Sequence, residues 1–369
     1  MAFDVLSAEG EDARRWTALV NNLPAQRRDI HFLPEYGRIY RDSYGFEPLL
    51  AVYSDDNGYV IQPLVRRSLA DLPFLKGAAD AAAYTDIANP YGYGGPLSNV
   101  DDPDIGRCLY TSFAETFATW CDQQDLASEF ASLHPFMAEY QLALIGQTIA
   151  PRHEKDVVFI DLSRGEGGIT AGINRGHRSS LNKARRAGVK IKKVPPSTSN
   201  LNIFNEIYRE TMIRRKAAAR WLVPDAYFSN CCRHLGPNRV SIFFAFVGSV
   251  VECAYLLMHD FSVAYYHFAG TRAQFPELRA NNLMMYETAL WALRTGYGRY
   301  HLGGGVTSGE GDTLFRFKAG FSDLRAPLYT YFCIRDEAVY DRLCERKRAY
   351  ELATTGTESQ SDFVPIYRR

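Results

Sequence analysis

Several absences narrow this chain before any motif is read. No stretch of its 369 residues approaches the roughly 20 consecutive apolar residues that a membrane-spanning helix needs. The opening MAFDVLSAEGEDARRW has no basic-then-apolar signal pattern, so the expected location is the cytoplasm. Seven cysteines form no C-x-x-C, and the adjacent Cys231–Cys232 has no second pair to complete a zinc site. The thiols therefore read as buried or idle, and no metal is expected. There are no repeats at solenoid periods and no low-complexity segment. No Ser–His–Asp order points to a nucleophilic triad.

Net charge is absent too, and its absence conceals an asymmetry. Residues 1–160 hold 23 acids and 12 bases, a net of −11, whereas residues 161–369 hold 19 acids and 30 bases, a net of +11. No acid occurs from Gly167 to Asn205. A basic half on a neutral chain fits a polyanionic partner bound on one side, and it equally fits a solvated face.

What is present reads as an ordinary globular protein, 46% hydrophobic and 23% charged, long enough for about two domains. In the first part, RDIHFLPEYGRIYRDSYG predicts a helix ending at Gly45, EPLLAVY and GYVIQPLVRRS a hairpin, and RCLYTSFAETFATWCDQQ a second helix. Past residue 150 the pattern gives the strand KDVVFIDLS, a basic helix stopping near Gly188, and the helix SNLNIFNEIYRETMIRRKAAARW. Three apolar strands follow, RVSIFFAFV, SVVECAYLLMH and SVAYYHFAGT. NNLMMYETALWALRTGYG is a helix that Asn281 or Asn282 can cap and Gly296 ends.

Residues 301–322, HLGGGVTSGEGDTLFRFKAGFS, pose the functional question. A phosphate loop needs Lys and Ser/Thr after its last glycine, and here Gly309 is followed by Glu310. A dinucleotide fingerprint fails because no helix opens on the run. The order of elements is that of an acetyltransferase-like domain, which often holds coenzyme A on an Arg/Gln-x-x-Gly-x-Gly/Ala loop before its central helix. The corresponding TRAQFPELRANNLM has no glycine, so few unobstructed N–H groups await a pyrophosphate. LFRFKAGF reads as strand-like, with Phe315 and Phe317 on one face and Arg316 and Lys318 on the other.

In the order INRGHRSSLNKARRAGVKI, YRETMIRRKAA, YYHFAGT, NNLMMYETALWALRTGYGRYHLGGG and DTLFRFKAGFS, with NPYGYGGPL earlier, the chain resembles the FemABX group over about residues 25–335. These are aminoacyl-tRNA-dependent peptidyltransferases of the acetyltransferase-like (GNAT) superfamily. The resemblance implies an α/β (α+β) architecture of two tandem GNAT-like domains, each a mixed, mainly antiparallel sheet flanked by helices. The first, acceptor-binding domain would be residues 1–155 completed by 322–354. The second, on the donor side, would be 156–321, with 355–369 a loose tail. The implied reaction moves an amino acid from aminoacyl-tRNA to an amine of a peptidoglycan precursor, small peptide or natural product. That acceptor could be nucleotide- or lipid-linked, a lipid-linked form bringing the protein to a membrane surface. The tRNA serves as co-substrate and no further cofactor is expected.

The residues implied are Lys318 as catalytic group, an ammonium suited to a phosphate or a developing oxyanion. Phe317, Arg316 and Arg178 would grip the tRNA end by stacking and phosphate contacts. Arg214, with Arg215 beside it, would hold an acceptor diphosphate through planar paired hydrogen bonds. Tyr91 and Tyr93 are further acceptor contacts. Aminolysis also asks for a base; Asp101 and Asp102 are the candidates, while His267 reads as a core strand histidine. Two alternatives remain: a coenzyme A-dependent N-acyltransferase on the same fold, and a non-catalytic RNA- or polyanion-binding protein.

Overall fold

The computed structural model describes residues 1–146, 148–307, 311–358 and 364–368; Gly309 and Glu310 of the glycine run lie outside the described residues. The chain divides into two units, Met1–Glu154 with Leu328–Arg369, and Lys155–Pro327. Strands and helices are numbered in chain order across both.

The first unit contains β1 (Ala2–Ser7), β2 (Glu47–Asp55), β3 (Gly58–Ser68), β4 (Thr85–Ala88), β5 (Leu97–Ser98), β6 (Leu126–Ser132) and the returning β13 (Arg325–Ile334). They run in the order β1-β2-β3-β4-β6-β13, with β5 beside β3. All pairs are antiparallel except β4 with β6. Pro48 to Tyr53 of β2 are all buried, which a strand reaches only when both faces are covered. Helix α2 (Pro34–Tyr44) and helix α3 (Pro103–Gln123) both pack on it. Pro103 opens α3 behind its Asp102 cap, whose carboxylate accepts from Asp104 N and Ile105 N. Leu109, Tyr110, Phe113 and Phe117 then fall on one stripe and meet Leu49, Ala51 and Tyr53 in the core. Helices α1 (Gly10–Asn21), α4 (Ala138–Ile145) and α11 (Glu337–Thr355) complete the unit.

The expectation of a loose tail is corrected at its far end. Ile366–Arg368 forms a short 3-10 turn. Tyr367 is buried among Leu69, Tyr84, Tyr340 and Leu343, and the Tyr367 hydroxyl and Arg368 guanidinium both donate to Asp86. A polar composition hides such docking because the partner carboxylate sits on a distant strand.

The second unit contains β7 (Arg152–Asp161), β8 (Lys190–Val194), β9 (Val240–Val247), β10 (Val250–Asp260), β11 (Val263–Thr271) and β12 (Arg299–Gly303). Their order is β7-β12-β11-β10-β9-β8, antiparallel except for β11 with β12. Helices α5 (Gly165–Gly172), α6 (Arg175–Arg186), α7 (Thr198–Arg214), α8 (Tyr227–Leu235), α9 (Ala280–Thr295) and α10 (Thr313–Ala319) surround the sheet. α9 buries Leu283, Met284, Tyr286 and Leu290 against it and stops at Gly296, whose φ of 97° suits glycine. Each unit is thus a mainly antiparallel sheet with one parallel pair and flanking helices, the fold class expected.

Two local expectations are corrected. α9 has Arg279 at its N-cap position and no side-chain cap; the Asn281 side chain instead accepts from the buried Tyr255 hydroxyl at 2.6 Å. LFRFKAGF is not a strand. Its core, Thr313–Ala319, is helix α10, because Asp312 accepts from Leu314 N and Phe315 N at 2.8 and 2.9 Å and so caps a helical turn.

Candidate active site

The helical form of α10 changes which side chains share a face. Leu314, Phe317, Lys318 and Phe321 recur at i, i+3, i+4 and i+7, the spacing of one helix face. Lys318 is only 6% exposed, and Phe315 and Phe317 pack on the core of the unit. Arg316 is exposed and reaches back toward Gly311 O. The expected split of aromatics on one side and cations on the other does not occur. The helix instead places a lysine inside and an arginine outside.

The glycine run is the seat of that lysine. β12 ends at Gly303, whose φ of 81° turns the chain. Lys318 Nζ donates to Gly304 O at 2.7 Å, and Lys155 Nζ, from β7, donates to Gly305 O at 3.1 Å. A Cβ at Gly303 would lie 3.1 Å from Lys318 Nζ, one at Gly304 3.2 Å from Lys155 Cδ, and one at Gly305 2.5 Å from the Asp312 carboxyl carbon. Gly303 is required by its positive φ and Gly305 by the Asp312 carboxylate, while at Gly304 a side chain would crowd the Lys155 stem and the Asp156 carbonyl oxygen. Burial pushes the Lys318 ammonium down to about 7; the neighbouring Lys155 charge pushes the same way, and Asp312 pulls against them. The Lys318 ammonium also lies 5.4 Å from the Tyr266 ring centre.

α6 is tied to α10. Asn174 caps α6 through His177 N, Asn174 N donates to Gly320 O at 2.9 Å, and His177 Nε2 contacts Phe317 O at 2.9 Å. The His177 ring packs on Phe317 and Phe321. Arg178, one position on, is exposed. Lys318, Phe317, Arg316 and Arg178 therefore lie on two helices joined at their ends.

The expected acceptor residues are divided between the units. Arg214 and Arg215 belong to the second, at the end of α7. Arg214 donates to Thr271 O, Thr271 Oγ1 and Arg272 O, so its guanidinium lies on the end of β11, while Arg215 is exposed. Tyr91 and Tyr93 belong to the first unit. Tyr91 is 48% exposed, and its carbonyl accepts from the Tyr36 hydroxyl. Tyr93 is 8% exposed, held edge-on between the His31 and His134 rings.

Those histidines belong to a buried cluster that sequence reasoning missed, Asp29, His31 and His134. His31 Nδ1 lies 2.6 Å from Asp29 Oδ1, and His134 Nε2 lies 3.4 Å from Asp29 Oδ2. Phe136 N donates to His134 Nδ1, so Nε2 carries the proton of the neutral ring. A metal-bound histidine shows the reverse, its second nitrogen donating. The cluster is hydrogen-bonded within itself and packs both histidine rings on Tyr93. Burial would raise Asp29, but the two histidines outweigh it and hold the carboxyl well below its usual range.

The candidate bases fare differently from Lys318. Asp102 is the α3 cap, and Asp101 pairs with Arg27 at 2.5 Å. His267 contacts the Tyr227 hydroxyl at 2.9 Å. At the loop before α9, Gly270 is required by packing, since a Cβ there would lie 2.8 Å from the Ile207 backbone. Phe275 N donates to Glu252 Oε1 at 3.3 Å. The buried Glu252 side chain therefore occupies one backbone N–H of that loop.

Residues 175–319 match a sequence model described as an acetyltransferase (GNAT) domain. No curated protein sequence matches. Among solved structures, FemX is similar with a TM-score of 0.67 at 14% identity, covering 93% of this chain and 99% of that one. The C-terminal domain (DUF2156) of a putative lysylphosphatidylglycerol synthetase from Agrobacterium fabrum gives 0.50 at 15% identity, over 95% and 99%. A conserved protein of unknown function from Bacteroides thetaiotaomicron gives 0.52 at 11%, over 90% and 99%. The FemABX-like resemblance holds at the level of the fold. Among the described residues no helix is long and apolar enough to cross a membrane.

Proposed function

From a chain that carries an acetyltransferase (GNAT) domain and shares the fold of FemX, we propose an aminoacyltransferase that moves an amino acid from aminoacyl-tRNA to an amine of a peptide-type acceptor. The acceptor nitrogen bonds to the ester carbonyl carbon, the carbonyl-to-ribose oxygen bond breaks, and one proton passes from nitrogen to the leaving ribose oxygen. Lys318 is the catalytic group, held by the glycine bend. Phe317 offers the edge of a stacking surface for the terminal base, with Arg316 and Arg178 for flanking phosphates. Arg215, with Arg214, is the acceptor contact on the second unit.

The observation that favours this over a coenzyme A-dependent N-acyltransferase is the Glu252 carboxylate on Phe275 N: negative charge at that loop opposes a pyrophosphate. A buried lysine at about 7 favours catalysis over a silent polyanion binder, since such shifts gather at functional sites. The test is incubation with charged tRNA or acetyl-CoA, each beside cell-wall precursors and small-peptide amines, followed by mass change with and without ribonuclease. Ribonuclease-sensitive transfer from charged tRNA is the expected outcome. Transfer that survives ribonuclease and needs acetyl-CoA overturns the reading.

A further inference from the structure

Two lysines, not one, reach the glycine bend. Lys318 arrives from α10 and Lys155 from β7, and they sit on the successive carbonyls of Gly304 and Gly305. The groups facing Lys318 are Lys155, Asp312 at the start of α10, the Tyr266 ring from β11, and His301 from β12, whose Cε1 lies 3.8 Å from the Gly303 Cβ position. Asp312 is the carboxylate among them, and its oxygens already accept from Leu314 N, Phe315 N and Thr307 N. Two ammonium groups thus sit on successive carbonyls, one of them at a buried position, an arrangement that disfavours charge on the more buried lysine.

We propose that Lys155 is a positioning residue: from the adjacent carbonyl it keeps Lys318 an uncharged amine, able to take the proton that the acceptor nitrogen loses. This rests on the aminoacyl-transfer reading and supplies the base that the sequence did not reveal. The proton moves from the acceptor nitrogen to Lys318 Nζ as the nitrogen–carbon bond forms. It then passes from Nζ to the ribose oxygen as the carbon–oxygen bond breaks, and the free amine is regenerated. Glycine at 304 leaves room for the Lys155 stem, since a Cβ there would lie 3.2 Å from both Lys155 Cδ and Asp156 O.

The test is a pH titration by NMR of protein labelled at lysine 13Cε, with the Lys318 signal assigned by its loss in Lys318→Met. The expected midpoint in the unsubstituted protein is near 7. Lys155→Met, with Lys155→Gln as a second variant should the first fold poorly, raises it by about one unit, roughly a fivefold loss of free amine at pH 7. Lys155→Arg leaves it in place. In the transfer assay the acid limb of kcat/KM moves upward by the same amount. A Lys318 midpoint near that of an ordinary lysine, or one unmoved by loss of the Lys155 charge, overturns the proposal even where transfer is seen. A midpoint that shifts in a protein without any transfer from charged tRNA supports the role of Lys155 and overturns the donor reading instead.

Discussion

The two units treat buried charge in opposite ways. In the first, the buried carboxylates Asp86 and Glu129 are matched. Asp86 is bracketed by Arg67 and Arg368, and Glu129 takes Arg335, Gln62 and the Tyr331 hydroxyl. In the second, Lys318 rests on a carbonyl with another lysine beside it. Matched buried pairs hold a fold in one arrangement, whereas a buried group kept near neutrality costs stability and prepares chemistry. The contrast separates scaffold from site on two sheets of similar design.

The sharpest break would come from unmatching a pair in the first unit. Asp86→Asn leaves Arg67 and Arg368 without their carboxylate and is expected to cost about 3–5 kcal/mol, read as a fall in Tm, with the Lys318 midpoint unmoved. Burial raises Asp86, but Arg67 and Arg368 prevail and hold it low. Its contribution is therefore present above the unfolded carboxylate range and lost as pH falls through the folded value.

The second unit should respond in the other sense. Lys318→Met is expected to cut transfer by about 100-fold or more while leaving Tm unchanged or raised. The sign follows from linkage: with its folded value lowered to about 7, Lys318 penalises folding fully below that pH. The penalty fades as pH rises toward the unfolded lysine value. Thermal melts from pH 6 to 10 on both proteins check it, and a large loss of Tm in Lys318→Met would return Lys318 to a packing role. Next in size, Gly305→Ala sets a methyl against a carboxylate already fixed by three backbone donors. Transfer should fall about tenfold, as for displacement of a positioned group, compared in the same assay.

The smallest effects give a matched comparison. Asp102 and Asp312 cap helices with the same pair of backbone bonds, so Asp102→Ala and Asp312→Ala should each cost about 1 kcal/mol in denaturant melts. Only Asp312→Ala removes the carboxylate that pulls Lys318 upward. It should therefore lower the Lys318 midpoint and shift the acid limb of transfer to lower pH. Equal pH profiles in the two variants would erase the distinction between the units.

The fold was largely legible because its signals are local. The β2–β3 hairpin, the three apolar strands and the stop at Gly296 rest on periodicity and on turn or cap residues within a few positions. α10 was misread although its signals were present. Asp312 before an apolar run is a cap, and Leu314, Phe317, Lys318 and Phe321 follow helical spacing, but the alternation Phe-Arg-Phe-Lys imitates a strand over four residues. Lys318 could be singled out from its motif, yet its environment could not. Lys155 and the Gly304 and Gly305 carbonyls come from separate segments, as do Asp29 and His134, and Asp86 and Arg368. Only tertiary packing brings such pairs together.

The return of β13 has a consequence for how the protein is made. Thr330–Ile334 of β13 and all of α11 are encoded after the whole of residues 155–327, yet this part of β13 closes the sheet beside β6. On the ribosome the first unit emerges first but finishes last, waiting with an unpaired strand edge while the second, contiguous unit emerges and folds. Synthesis order and completion order are reversed, and the pause leaves the first unit most open to chaperones and to misassociation.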